Sequence, residues 1–122
     1  MALPNLFILY VKNTETSRRF YENLLERPPQ AAFPNYVAFD LQNSMILGLW
    51  STQAENFVSG GEGHKGEVAF MVQDETAVNA AYARWSELGV TIEQEPHCAV
   101  FGPTFVGVDP DGHRLRVCTP DT

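Results

Sequence analysis

A chain of 122 residues and 13.6 kDa is long enough to bury a core as one domain without disulfide staples, and 44% hydrophobic with 19% charged residues is an ordinary globular composition. Its net charge of −7, from 15 acidic and 8 basic side chains, with no basic run longer than Arg18-Arg19, argues against nucleic acid as a partner. No stretch reaches the roughly 18 apolar residues of a membrane span and the N-terminal residues lack a leader pattern, so the chain is expected to be cytoplasmic, without a membrane partner, and with Cys98 and Cys118 as free thiols.

Leu6 to Val11 is apolar on both faces and reads as a strand. Asn13 is an N-cap for a helix whose apolar residues Phe20, Tyr21, Leu24 and Leu25 recur, with Ser17, at helical spacing. Arg27-Pro28-Pro29 ends that helix. Short strands are expected over Ala31 to Phe33 and Tyr36 to Asp40, split by Pro34-Asn35, and Gln42-Asn43 turns the chain into a further strand from Met45 to Trp50. Ser51 to Gly66, with Gly60, Gly61, Gly63 and Gly66, reads as a linker or lid in which Phe57-Val58 supplies an anchor.

The second half repeats the plan. Glu67 to Val72 is a strand, Asp74 a cap, and Val78, Ala81, Tyr82, Trp85 and Leu88 form a helical stripe closed by Gly89. Trp85 is therefore a core residue. Strands are expected over Val90 to Glu95, His97 to Phe101, Thr104 to Val108 and Arg114 to Cys118, the last entered through the turn Asp109-Pro110-Asp111-Gly112. A displacement of 61 residues, as from Val11 to Val72, also brings Asn13 onto Asp74 and Tyr21 onto Tyr82. A repeat of half the chain means a duplicated module. The expected architecture is α+β, with residues 1–122 as one domain: module one at about 5–50, a linker at 51–66 and module two at about 67–119. The two tandem βαβββ modules are expected to form a cleft-shaped, incompletely closed sheet with the helices outside.

Strand side chains alternate between faces. Phe7, Leu9 and Val11 suit the helix side, leaving Leu6, Ile8 and Tyr10 for the cleft, and the repeat gives Glu67, Ala69 and Met71 the same role. Leu115 and Val117 belong to the core, which sends Arg114, Arg116 and Cys118 into the cleft together with Ile46, Gly48 and Trp50. Such a lining, apolar and aromatic with a few ionic groups, suits a small molecule. A charged strand residue is costly unless paired. Two readings stay open: Glu67 and Arg116 satisfy each other, or an arginine holds a ligand carboxylate or phenolate.

The β-α-β-β-β duplication, Tyr10-Val11-Lys12-Asn13 ahead of a helix carrying Arg19-Phe20-Tyr21, and Asp109-Pro110-Asp111-Gly112-His113 before the last strand together resemble the vicinal oxygen chelate superfamily, which includes glyoxalase I, extradiol dioxygenases and bleomycin-resistance proteins. The resemblance spans essentially the whole chain. Asn35-Tyr36-Val37-Ala38-Phe39, Leu49-Trp50-Ser51, Phe101-Gly102-Pro103-Thr104-Phe105 and Asp109 to Cys118 resemble the phenazine-antibiotic-resistance proteins in particular.

Superfamily enzymes hold a divalent metal at cleft-facing strand positions. The resemblance assigns those positions to Leu6, Gly48, Glu67 and Arg116, which offer one carboxylate and no imidazole, so no metal and no other cofactor is expected. His64, His97 and His113 lie in the linker, at a strand start and in a turn. Members without a metal are binding proteins that sequester antibiotics, commonly as homodimers.

The resemblance thus implies sequestration of a small planar aromatic ligand such as a phenazine, with resistance as the outcome. Trp50 is its stacking residue, and Tyr10, Tyr36, Phe57, Glu67, Phe101, Arg114, Arg116 and Cys118 are further wall residues. No catalytic residue is assigned. Whether the modules pair within one chain or swap across a homodimer stays open. The alternative is a glyoxalase- or dioxygenase-like enzyme, a lyase or oxidoreductase acting on a small aromatic or carbonyl substrate with Glu67 as general base. A third reading is an interaction module whose cleft is filled by its own side chains.

Overall fold

The structure, a computed structural model, describes residues 5–54, 66–99 and 101–120. The chain divides into two compact units, Met1–Gly61 and Glu62–Thr122. Phe57 and His64 of the linker lie outside the described residues.

In unit one, β1 (Leu6–Val11) leads into α1 (Thr14–Leu25), followed by β2 (Ala31–Phe33), β3 (Tyr36–Asp40) and β4 (Ile46–Ser51). The helix starts where Asn13 Oδ1 accepts a hydrogen bond from the Thr16 N–H at 3.0 Å, which satisfies one of the free donors of the first turn. It ends on Glu26, held in the left-handed region at φ 55°. Three further residues of positive φ, Gln42, Asn43 and Ser44, reverse the chain into β4. The strand order is β1-β4-β3-β2, with β1 parallel to β4 and the other pairs antiparallel.

Unit two repeats the order with β5 (Val68–Met71), α2 (Glu75–Glu87), β6 (Thr91–Ala99), β7 (Gly102–Val108) and β8 (Arg114–Cys118). Its strand order is β5-β8-β7-β6, again with only the first strand parallel to its neighbour. Asp74 Oδ1 accepts from the Ala77 N–H at 2.9 Å. Gly89 closes the helix at φ +81°, with its own N–H on the Ser86 carbonyl and the Val90 N–H on the Trp85 carbonyl, the paired bonds of a Schellman cap. Before β8, Asp109 is buried and its Oδ1 accepts from the N–H groups of Asp111 and His113.

The result is an α+β fold of two tandem βαβββ modules, each with an open four-stranded mixed sheet. Some readings of the sequence change: β5 spans Val68–Met71 instead of Glu67 to Val72, and β7 begins at Gly102 instead of Thr104. The two strands expected over Val90 to Glu95 and His97 to Phe101 are replaced by one, β6 (Thr91–Ala99), with Pro96 in a register shift between Gln94 and His97; β6 is the edge of its sheet, where a missing ladder donor is tolerated. The fourth strand begins at Ile46 instead of Met45 and continues to Ser51. Phe7 does not cover the helix and is 43% exposed, since α1 packs on β4 and β3.

The core of unit one is Val11, Tyr21, Val37, Phe39, Leu47 and Leu49; that of unit two is Val78, Trp85, Phe105, Leu115 and Val117. Trp85 is core, as its place on the stripe predicts, in edge contact with Phe70 and Phe105. No helix among the described residues is long and apolar enough to cross a membrane.

Candidate functional site

Each sheet has a face turned away from its helix, identified by the register. In unit one Tyr21 packs on Phe39, which fixes Val37, Phe39, Leu47 and Leu49 on the helix side and their alternates on the other. The pairs Tyr10↔Trp50, Trp50↔Tyr36 and Tyr36↔Phe33 then place four aromatic residues in one row across all four strands. Tyr10 and Trp50 meet edge to face, with ring centroids 6.2 Å apart. Beside that row runs a second, Ile8↔Gly48↔Ala38↔Ala31, made of one isoleucine and three small residues. The small residues of the second row leave a trough that the Tyr36 ring partly fills over Gly48, and the aromatic row beside it is a surface on which a flat ring can stack.

The predicted residues Tyr10, Tyr36 and Trp50 are thus brought together. Phe33 completes the row and is 63% exposed; its partner register with Tyr36, not visible from hydropathy, is the signal that would have found it.

In unit two the equivalent face carries charge. Arg116 Nε lies 2.5 Å from Glu67 Oε1 and Arg114 Nη1 3.6 Å from Glu67 Oε2. A second carboxylate, Glu93, binds Arg114 Nη2 at 2.9 Å; sequence reading missed it because it faces Arg114 only through the irregular register of β6. Arg116 also donates to Thr104 Oγ1 at 3.0 Å, and that buried hydroxyl donates to the Val117 carbonyl at 2.7 Å. The Arg116 guanidinium sits 5.4 Å from the ring centroid of Phe101, within cation–π range.

Arg116 is held by Glu67, as the pairing reading expected, and Arg114 is held by Glu67 and Glu93, so that two glutamates balance two arginines. Arg114 Nε is buried without a hydrogen-bond partner among the described residues. Cys118 is half-buried and pairs in register with Met71 and Thr104. Glu67, Arg114, Arg116 and Phe101 thus form one cluster, with Cys118 on the same strand; Phe57 lies outside the described residues.

The four positions that the resemblance assigns to metal ligands hold Leu6, Gly48, Glu67 and Arg116. The single carboxylate among them is already bound by a guanidinium at 2.5 Å. That donor set does not fit a divalent transition metal, which needs three or four N, O or S ligands. Among the described residues no three His, Cys, Asp or Glu side chains gather into a metal-binding group.

The phenazine antibiotic resistance protein EhpR of Enterobacter agglomerans is 32% identical over 121 residues, which cover 97% of this chain and 92% of that one. A protein of Agrobacterium tumefaciens with a solution NMR structure is 42% identical, with a TM-score of 0.82 and 96% of each chain covered. A glyoxalase-related enzyme from Fulvimarina pelagi shares the fold at a TM-score of 0.82, with 20% identity over 98% of this chain and 89% of that one. The family model described as the glyoxalase/bleomycin resistance protein/dioxygenase superfamily matches residues 4–117. With the duplicated βαβββ module present twice in the fold and that match spanning both copies, the chain belongs to the glyoxalase/bleomycin resistance protein/dioxygenase superfamily.

Proposed function

We propose that this protein is a metal-free binding protein that sequesters a planar aromatic antibiotic or metabolite of the phenazine type, and so confers resistance, acting as a cytoplasmic homodimer. The observation that carries the reading is the aromatic row Tyr10, Trp50, Tyr36 and Phe33 on one sheet face. Its similarity over nearly its whole length to a protein named for phenazine antibiotic resistance supports the ligand class. Trp50 is the stacking residue, and Tyr10 braces its indole edge to face. The other proposed contributors are Tyr36, Phe57, Glu67, Phe101, Arg114, Arg116 and Cys118. A donor set unsuited to a metal favours binding over metal-dependent chemistry.

The test is a titration of tryptophan fluorescence with planar aromatics, phenazine-1-carboxylate among them, on wild type, Trp50→Phe and Trp50→Ala. Stacking on an indole is worth on the order of 1 kcal/mol beyond burial, so Trp50→Ala is expected to weaken binding by about fivefold or more. Trp85, buried under its own sheet, serves as the internal fluorescence reference. Affinity for every aromatic unchanged in Trp50→Ala would remove Trp50 from the site, and no saturable signal in wild type would sink the reading.

A further inference from the structure

We propose that Tyr36 distinguishes a nitrogen heterocycle from a plain hydrocarbon ring, its hydroxyl being laid over Gly48 as a hydrogen-bond donor to a ring nitrogen. The inference rests on the reading that the aromatic row holds a planar ligand, and goes beyond it by naming which atom of the ligand is recognised. A Cβ built on Gly48 would stand 2.5 Å from Tyr36 Oη and 3.0 Å from Cε1 and Cζ. The phenol therefore lies down along the sheet, out of its own row and into the trough, in space that only a glycine at position 48 leaves.

Tyr36 is half-buried; no group among the described residues takes up its hydroxyl, which is not among the buried atoms left without a partner and so is reached by solvent. Its neighbours in the trough are Ala38, Ala31 and Ile8, whose side chains neither donate nor accept. A ligand that covers this hydroxyl displaces its water, and a phenolic hydroxyl left without a partner there is costly. Tyr10 and Trp50, the other polar aromatics of the row, are engaged with other groups. Trp50 and Gly48 are two residues apart on β4, about 7 Å along the strand, the scale of one fused-ring width. A ring stacked on Trp50 thus brings its edge to the Tyr36 hydroxyl, where a ring nitrogen accepts and a C–H cannot. Sites that offer an unpaired polar group discriminate against analogues that leave it unpaired.

The experiment compares phenazine-1-carboxylate with anthracene-1-carboxylate, which has the same outline and carboxylate but no ring nitrogen, by calorimetric or fluorescence titration. Wild type is expected to prefer the phenazine about fivefold, the ratio given by one net neutral hydrogen bond. Tyr36→Phe is expected to bring that ratio to about one. Gly48→Ala, which displaces the phenol, is expected to lower the same ratio, and Tyr36→Phe carries the test alone if Gly48→Ala folds poorly. A preference that persists in Tyr36→Phe overturns the proposal, as does equal affinity of wild type for both compounds. Those outcomes leave the stacking reading intact, whereas binding of neither compound by wild type overturns both.

Discussion

The two modules share a backbone plan and differ in what they mount on it. Register makes the correspondence exact in sequence terms: Trp50 matches Cys118, Tyr36 matches Thr104, Gly48 matches Arg116, and Leu6 matches Glu67. The face that carries an aromatic row and a trough in module one carries two arginines, two glutamates and a buried threonine in module two. A strand accepts either set because the ladder bonds use only backbone groups, which leaves the outward face free to diverge.

The helix-facing sides diverge less, and by exchange of volume. Phe39 of module one corresponds to Gly107 of module two, where a Cβ would meet Val90 Cγ1 at 2.9 Å and Trp85 Cε3 at 3.3 Å. The ring that module one carries at Phe39 appears in module two at Phe105, the counterpart of Val37, and Trp85 of α2 lies over Gly107. Chemistry separates the two halves on one face, while on the other both stay apolar and differ in where the large side chains stand.

That comparison can be broken at the core first. Phe105 is fully buried against Tyr82 and Trp85, and Phe105→Ala is expected to cost about 3–5 kcal/mol. Its counterpart Val37→Ala is expected to cost about 2 kcal/mol, the loss of two buried methyl groups. Denaturant unfolding of the two variants measures the gap, and equal losses would mean that the helix of module one compresses onto its sheet as tightly as that of module two.

The outward faces come next. Glu67→Gln removes the carboxylate between Arg114 and Arg116 and is expected to destabilise by about 1–2 kcal/mol, less in high salt because the group is partly exposed. Leu6→Gln, at the matching place, is expected to stay within about 0.5 kcal/mol, since Leu6 is 46% exposed. Melting temperatures at low and high salt decide it; a salt-independent loss at Glu67 would show that the pair acts through packing.

Helix ends give a smaller and opposite pair of effects. Glu26 occupies the left-handed region at φ 55°, costly for a residue with a Cβ, whereas Gly89 fills its left-handed position without strain. Glu26→Gly is expected to raise stability by about 1 kcal/mol and Gly89→Ala to lower it by a similar amount, as read by chemical denaturation.

The smallest effect is one of pH. Tyr82 donates a short hydrogen bond to Glu95, and that bond first, with desolvation and the carboxylate charge after it, holds its phenol above the usual tyrosine range. A raised folded-state value means the contribution is fully present below the unfolded tyrosine value and is lost as pH rises through the folded one. Alkaline difference spectroscopy of wild type should show a late-titrating phenol that Tyr82→Phe removes. Its repeat partner Tyr21, on the inner face of α1, is fully buried, so the same sequence position serves as core in one module and as a half-buried clasp to Glu95 in the other.

Much of this was legible in the sequence because it depends on local rules. Asn13 and Asp74 announce helix starts, Gly89 announces an end, Asp109-Pro110-Asp111-Gly112 a turn, and alternation sorts Trp50 from Leu49. What stayed hidden depends on pairing between distant segments. Pro96 reads as a strand break until β6 is known to be an edge strand. Phe33 looks like an isolated aromatic until register sets it beside Tyr36. Glu93 becomes a partner of Arg114 only through an irregular ladder, and Phe7 fails to reach α1 because the helix crosses β4 and β3 instead. The lean of Tyr36 over Gly48 needs side-chain coordinates, since no spacing rule says which way a phenol falls.

The parallel pairing of the first strand with the last bears on how the chain is made. Leu6 cannot find Ile46, 40 residues on, nor Val68 its partner Leu115, 47 residues on, until nearly the whole of each module has followed. In a chain emerging N-terminus first, the apolar edge Leu6-Phe7-Ile8 waits uncovered on one side while the hairpins β2–β3 and β3–β4 assemble, and the same wait recurs for β5. Each module is therefore most vulnerable to association with other nascent chains just before its last strand appears. Duplication spreads that exposure over two short intervals, because every strand of the first sheet has been synthesised by Ser51, before β5 begins at Val68.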